Sequence, residues 1–140
     1  MQKQEMLRQL ADFVTSQRCS HPLRVGINGI DGAGKTHLAD QLTKVITDRN
    51  VIRASIDGFH NPKAIRYARG RWSAEGYYYD SFDNEKFIDA LLKPLGMPDN
   101  MTYQTAAFDH KKDSVVQIPT KKHRPMISFS LMEFSFSGLN

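Results

Sequence analysis

The chain has 140 residues, of which 40% are hydrophobic and 24% charged, proportions typical of one folded globular domain and not of a disordered chain. The formal net charge of +4 is too small to predict a nucleic-acid-binding surface; it indicates either a solvated basic surface or attraction for phosphate-bearing ligands. No hydrophobic run approaches the roughly 20 residues of a membrane span, and the single cysteine, Cys19, suits a reducing compartment. We therefore expect a cytoplasmic protein with no nucleic-acid or membrane partner and of undetermined oligomeric state.

The amino-terminal part of the chain predicts a helix, a strand, a helix and a strand in that order. Hydrophobic residues at helical spacing predict a helix over about residues 2–18, and a short apolar run at 23–27 is typical of a buried strand. A hydrophobic face predicts a second helix over about 35–49, and a second strand follows at 51–56. This βαβ order predicts an α/β fold whose parallel sheet is flanked by helices.

Regular patterns become sparse after the second strand. Residues 58–82 have no clear period and predict a long irregular segment, which in a compact domain is usually functional or disordered. Asp83 is a candidate cap for a helix that runs to about residue 93. Residues 97–124 are polar and lysine-rich. One short strand is predicted there from Val115, Val116 and Ile118.

Residues 29–36 match the phosphate-loop pattern G-x-x-x-x-G-K-[ST] between a predicted strand and a predicted helix, the context in which this pattern binds nucleotides. Glycines let phosphates approach the main chain, successive N–H groups form an anion-binding nest, and the helix adds its positive dipole end. Lys35 is expected on the β- and γ-phosphates, and Thr36 on Mg²⁺. The pattern therefore predicts ATP and Mg²⁺ as ligands. The predicted ATP-binding residues are Gly29, Asp31, Gly32, Ala33, Gly34, Lys35, Thr36 and His37.

Asp57 ends the predicted second strand, at the edge of an open parallel sheet where ligands bind. Its carboxylate is suited either to accept a proton from an incoming hydroxyl or to hold Mg²⁺ through water. The structural alternative is that Asp57 and Gly58 only form a turn. The neighbouring phosphate loop favours the catalytic and metal-binding interpretation.

Three further residues are candidates for binding a substrate. His60 is suited to hydrogen-bond a substrate, or is an ordinary loop histidine. Arg66 belongs to a basic run at 63–71 that either holds an anionic group or forms a solvated face. Tyr77, within a run of three tyrosines, is suited to stack on a base or sugar, or packs in the core. The sequence leaves these alternatives open.

Four blocks of sequence together resemble the uridine kinase-like branch of P-loop kinases, which includes uridine/cytidine kinase, phosphoribulokinase and bacterial pantothenate kinase. The blocks are the phosphate loop and residues 55–60, 75–83 and 103–113. The resemblance covers about residues 20–124. It implies ATP-dependent phosphoryl transfer to a hydroxyl of a small metabolite, with Lys35 and Asp57 as the catalytic residues and Asp57 as the general base.

The resemblance also bears on the acceptor. Phe108, with Asp109, resembles the aromatic–aspartate pair that lines the nucleoside pocket of uridine kinases, whereas Tyr77 stands where those enzymes place an aspartate for the ribose hydroxyls. A uridine-like nucleoside is the first expectation, and pantothenate or a sugar stays open. A non-catalytic nucleotide-binding remnant is a further alternative. A GTPase is disfavoured, because no Asn-Lys-x-Asp motif follows Thr36.

The carboxyl-terminal residues depart from the family pattern, which continues with an apolar strand, Asp-Gly and then Arg-Pro-Glu. One choice of codons for residues 128–140, read two bases later, encodes Ile-Phe-Phe-Asp-Gly-Ile-Phe-Leu-Phe-Arg-Pro-Glu. We therefore predict a partial kinase domain at 1–124, incomplete at its C-terminus, and an out-of-frame tail at 125–140; the alternative is a genuine apolar tail. Loss of the lid and its arginines predicts little phosphotransfer, and an exposed apolar tail favours aggregation.

Overall fold

The computed structural model describes residues 2–97, 102–116, 121–122 and 128–135. In this part of the chain a three-stranded parallel sheet carries helices on both faces. The helices are α1 (Lys3–Thr15), α2 (Lys35–Val45), α3 (Lys63–Arg66), α4 (Ala74–Asp80), α5 (Asn84–Phe87) and α6 (Lys93–Leu95), with a 3₁₀ turn at Ile56–Phe59 and a π-helical stretch at Ile88–Leu92. The strands are β1 (Leu23–Gly29), β2 (Asn50–Ser55), β3 (Thr102–Tyr103), β4 (Phe108–Asp109), β5 (Ser114–Val115), β6 (Lys121–Lys122) and β7 (Ser128–Ser135).

The main sheet has the strand order β1-β7-β2, and β7 runs parallel to both neighbours. The predicted parallel sheet is thus confirmed, although β1 and β2 do not pair with each other. The expectation of an exposed tail is wrong for the backbone of Ser128–Ser135, which is paired along both edges. Residues 123–127 and 136–140 lie outside the described residues. The reading-frame interpretation stays a prediction, which sequencing of the coding DNA would check.

Helices α1 and α2 cover one face of the sheet. Their buried side chains pack with the partly buried Val25 and Ile27 of β1, because alternate residues of a strand point to the same face. Helix α2 ends at Val45, earlier than predicted, since Ile46 takes an extended conformation while its side chain stays buried. The buried residues of this core are Leu7, Ala11, Val14, Ala39, Leu42 and Ile46.

The helical segment from α5 to α6 covers the opposite face. Asp83 caps it as predicted, with its carboxylate accepting a hydrogen bond from the Lys86 amide at 3.0 Å. The segment continues through Pro94, which has no N–H to donate to the Ala90 carbonyl. That carbonyl instead accepts the Gln104 amide at 2.9 Å, so the helix tolerates the proline and ties down the chain after β3. The buried residues of this core are Ile52, Ala54, Ile56, Phe59, Phe87, Leu91, Leu95 and Tyr103.

Residues 58–82 are more regular than predicted, because they contain α3 and α4. Helix α4 begins where the Ser73 hydroxyl accepts a hydrogen bond from the Gly76 amide at 3.1 Å. With four and seven residues, α3 and α4 are too short to show a hydrophobic period. The chain then returns beside the 3₁₀ turn, where the Asp83 amide donates to the Phe59 carbonyl at 2.7 Å. No helix in the described part of the chain combines the length and hydrophobicity needed to cross a bilayer.

Residues 105–107 pack closely against Gly58. A Cβ added at Gly58 would lie 2.8 Å from the Ala106 Cβ and 3.2 Å from the Thr105 carbonyl oxygen. The Ala107 amide donates to the Gly58 carbonyl at 2.8 Å, which fixes this approach. The strand predicted around Val115 is confirmed as β5, which pairs with β4; Val116 follows it, and Ile118 lies outside the described residues.

We expect Gly58→Ala to destabilise the fold by about 1–3 kcal/mol, because the added methyl group overlaps a neighbouring segment held by a backbone hydrogen bond. Urea denaturation measures the change. Gly76→Ala is the matched control, since its added Cβ would meet no atom closer than 3.5 Å and alanine favours the helix. Equal stability of the two variants would contradict the close approach at Gly58.

Candidate functional site

The phosphate loop follows β1 at the carboxyl edge of the sheet. Gly32 and Gly34 have φ angles of +76° and +88°, in the left-handed region that favours glycine. The Ala33 amide closes a turn on the Ile30 carbonyl at 3.2 Å, and the Leu38 amide bonds the Gly34 carbonyl at 3.0 Å as α2 begins. The loop therefore has the bent main chain and the helix N-terminus that suit an anion.

Lys35 lies at the first position of α2 and turns back over this loop. Its ammonium group donates to the carbonyl oxygens of Gly29 at 3.0 Å and Ile30 at 2.8 Å. Thr36 follows it in the first turn of the helix. A polyphosphate that enters the loop would compete with these two carbonyls for the three protons of the Lys35 ammonium group.

A cavity of about 420 Å³ opens above the loop. It brings together six of the eight predicted ATP-binding residues, whereas Gly29 and Ala33 contribute to the loop without lining the cavity. Ser55 and Asp57 close it from the side of β2. His37, at its margin, has its Nε2 atom 3.2 Å from the Lys3 ammonium nitrogen. The lining residues are Asp31, Gly32, Gly34, Lys35, Thr36, His37, Ser55 and Asp57.

Asp57 lies in the 3₁₀ turn that follows β2. The Ser55 hydroxyl accepts a hydrogen bond from the Asp57 amide at 3.2 Å, which starts the turn. Ile56 and Phe59 bury their side chains in the core beneath it and leave the Asp57 carboxylate exposed. Asp57 and Gly58 therefore do form a turn, and this turn places the Asp57 carboxylate at the carboxyl edge of the sheet.

A second cavity of about 200 Å³ adjoins the first, and Asp31 and Asp57 line both. The predicted substrate residues His60 and Tyr77 lie in it. His110, which the sequence interpretation missed, stacks on His60 with ring centroids 4.2 Å apart. Its place directly after the Phe-Asp pair was the only signal for it. The lining residues are Asp31, Asp57, His60, Tyr77, Ser81, Phe82 and His110.

Arg66 and Phe108 line neither of these two cavities, and their assignment as substrate residues stays a prediction. Arg66 lies beside the smaller cavity, where its Nη2 donates to the carbonyl of the lining residue His110 at 3.5 Å. Its Nε donates to the Asn61 carbonyl at 2.7 Å, and its guanidinium lies 4.0 Å from Asp113. Phe108 is partly buried in β4, where it pairs with Val115. Arg66 thus joins α3 to the turn after β4.

The surroundings of His60 change the protonation equilibrium of its imidazole. Burial lowers the pKa of its imidazole below the ordinary 6.5, and the charges of His110 and Arg66 lower it further. The hydrogen bond between His60 Nδ1 and the Asp57 carbonyl, at 2.7 Å, and the Asp57 carboxylate oppose this shift. The lowered pKa favours a neutral imidazole beside Asp57 at neutral pH.

The stability of the fold should therefore depend on pH through His60. Because the folded state lowers this pKa, the unfolded chain binds the proton first as the pH falls. We expect the contribution of the neutral imidazole to be complete above pH 6.5 and to be lost as the pH falls through 6.5 towards the folded pKa. Urea denaturation from about pH 7.5 to about pH 5 measures it. His60→Gln should lose less stability on acidification than the wild type, and an equal loss in the two proteins would contradict this role of His60.

The site also contains groups that fit a bound Mg²⁺ ion. Thr36 and Asp57 line the same cavity. Magnesium is usually held by one or two carboxylates together with substrate phosphates and water, so a dedicated cluster of protein ligands is not required. The described residues contain no group of three or more histidine, cysteine or acidic side chains placed to hold a metal ion.

Comparison with known proteins identifies the fold. No protein-family model matches the sequence, and no curated protein matches it. The structure is similar to that of a possible uridine kinase from Bacillus stearothermophilus, with a TM-score of 0.76 and 23% sequence identity; the match covers 96% of this chain and 72% of that chain. At this identity the likeness shows the fold alone. The chain therefore shares the α/β fold of that structure, which confirms the predicted fold class.

Proposed function

We propose that the chain binds Mg²⁺-ATP on its phosphate loop and transfers the γ-phosphoryl group to a hydroxyl of a small acceptor held beside Asp57. The observation that carries this proposal is the position of Asp57 between the two cavities. One cavity has the bent loop and the lysine that suit a polyphosphate. The other is small and polar and shares Asp31 and Asp57 with the first, which places an acceptor in it beside the phosphates.

Each group has a distinct role in this proposal. The loop amides and Lys35 hold the phosphates, and Lys35 leaves the Gly29 and Ile30 carbonyls to do so. The Asp57 carboxylate accepts the proton of the attacking hydroxyl. Thr36, with Asp57, holds Mg²⁺, which neutralises charge on the phosphates when bound. His60, whose lowered pKa favours the neutral imidazole, is available to hydrogen-bond the acceptor.

We expect slow transfer from this chain. Arginine contacts to the transferring phosphoryl group raise the rate by about 10³-fold or more in related chemistry. In the described part of the chain, neither cavity is lined by an arginine. Nucleotide binding does not depend on such contacts to the same extent, so binding should be the more robust property.

The acceptor we favour first is a uridine-like nucleoside, on the sequence resemblance, with pantothenate and simple sugars as alternatives. Calorimetric titration with Mg²⁺-ATP tests binding, and prolonged incubation with γ-labelled ATP and uridine, cytidine, pantothenate or a free sugar tests transfer. A labelled, phosphorylated acceptor supports the proposal and identifies the substrate. Binding with no labelled product would instead support a non-catalytic nucleotide-binding protein. Folded protein without affinity for Mg²⁺-ATP would refute the proposal.

A further inference from the structure

Tyr77 and Asp31 form a contact that joins α4 to the phosphate loop. The Tyr77 hydroxyl donates a hydrogen bond to Oδ2 of Asp31 at 3.1 Å, between residues 46 positions apart in sequence. Asp31 lines both cavities, whereas Tyr77 lines only the smaller one. The hydrogen bond therefore lies where the proposed phosphate and acceptor cavities meet.

A carboxylate in a phosphate-binding loop is unfavourable for the ligand. Asp31 directly precedes Gly32, the first of the two left-handed glycines that bend the loop. Like charges repel each other more strongly beside a protein than in bulk water. A polyphosphate in this loop therefore binds best when the Asp31 carboxylate is directed away from it.

The backbone of Tyr77 is anchored within α4, which fixes the position from which its side chain reaches Asp31. Its amide donates to the Ser73 carbonyl at 3.0 Å, and its carbonyl accepts a hydrogen bond from the Ser81 hydroxyl. Ser73 also caps the start of α4. A tyrosine hydroxyl is an uncharged donor, so it holds a carboxylate without adding a second cation to compete for the phosphates.

We propose that Tyr77 is a positioning residue that holds the Asp31 carboxylate on the acceptor side of the phosphate loop and so lowers its repulsion of bound nucleotide. This inference rests on the proposed function, because it needs a polyphosphate in the loop. Tyr77 acts on the nucleotide only through Asp31. The effect of removing its hydroxyl must therefore disappear when Asp31 carries no charge.

Calorimetric titration with Mg²⁺-ATP of the wild type, Tyr77→Phe, Asp31→Asn and the double variant tests this dependence. We expect Tyr77→Phe to weaken the affinity about 3- to 10-fold, which is less than a direct hydrogen bond to a charged group contributes, because the Tyr77 hydroxyl acts on the nucleotide only through Asp31. Asp31→Asn should bind at least as tightly as the wild type, and the double variant should equal Asp31→Asn. The deficit of Tyr77→Phe should shrink as salt is added, because the repulsion is screened.

Tyr78→Phe is the matched control. Tyr78 belongs to the same helix, is 45% exposed, contacts Tyr79 and lines neither cavity, so its affinity for Mg²⁺-ATP should be unchanged. The inference is overturned if Tyr77→Phe binds Mg²⁺-ATP like the wild type. It is also overturned if Tyr77→Phe weakens binding equally when residue 31 is asparagine, because that result would indicate a purely structural role or a direct contact with the ligand. Wild-type protein that is folded but binds no Mg²⁺-ATP would refute the proposed function as well.

Discussion

Lys35→Ala should weaken the binding of Mg²⁺-ATP about 10- to 100-fold. The expected range follows from hydrogen bonds between a charged donor and a charged acceptor, which contribute about 1.5–3 kcal/mol each, or about tenfold in affinity for every 1.4 kcal/mol. In the structure the Lys35 ammonium group donates hydrogen bonds to the Gly29 and Ile30 carbonyls, so it already lies over the phosphate loop. Those carbonyls can turn to water in the variant, so the fold should persist. Calorimetric titration measures the loss.

The control for this variant is Lys44→Ala. Lys44 lies in the last turn of the same helix and is exposed, and it lines neither cavity. The two variants remove the same charge from α2, and only Lys35→Ala removes it from the phosphate loop. Equal affinities of the two variants would show that net charge, and not a placed ammonium group, attracts the nucleotide.

Asp57→Asn should reduce phosphoryl transfer by about 10²-fold or more while leaving Mg²⁺-ATP binding within a few-fold of the wild type. A positioned general base contributes about 10²–10⁴-fold to such reactions, and asparagine cannot accept the proton. The Ser55–Asp57 hydrogen bond uses the backbone amide of residue 57, so the turn should form in the variant. Because transfer by the wild type is expected to be slow, labelled product is followed over hours.

Asp48→Asn provides the comparison for Asp57→Asn. The Asp48 side chain is 66% exposed in the loop between α2 and β2, where its carboxylate lies 3.9 Å from Arg49. It should leave both binding and transfer unchanged. Retention of full transfer activity by Asp57→Asn would exclude this carboxylate as the base, and a large loss of nucleotide affinity would assign it mainly to Mg²⁺.

The parts of the fold that the sequence predicted are those with local signals. The strand, glycine-rich loop and helix at residues 23–45 carry a hydrophobic period and a loop motif that act within a few positions, and Asp83 marks its own helix. Helices α3 and α4 were missed because they rest on caps and on contacts with distant segments. Pro94 is accommodated only because Gln104, ten positions later, satisfies the freed carbonyl.

The candidate site divides in the same way. The loop motif identified the residues around the larger cavity, because their roles depend on neighbours in sequence. The smaller cavity is lined by residues from the turn after β2, from α4 and the residues after it, and from the residue after β4. Which side chains line it therefore depends on how these segments pack. Gly58 illustrates the difference. Ala106 leaves no room for a side chain at position 58, and Ala106 comes close to Gly58 only in the folded chain. His110 arrives at His60 by the same route.

The central position of β7 makes the site dependent on a strand that lies far after β2 in the sequence. Ser128–Ser135 inserts between β1 and β2 and so sets the separation of the loop after β1 from the turn after β2. Pairings across about a hundred positions carry a large loop-closure entropy and form slowly. A nascent chain that has not yet extended past β2 therefore holds both the phosphate-loop motif and Asp57 in its sequence, but has no scaffold that aligns them.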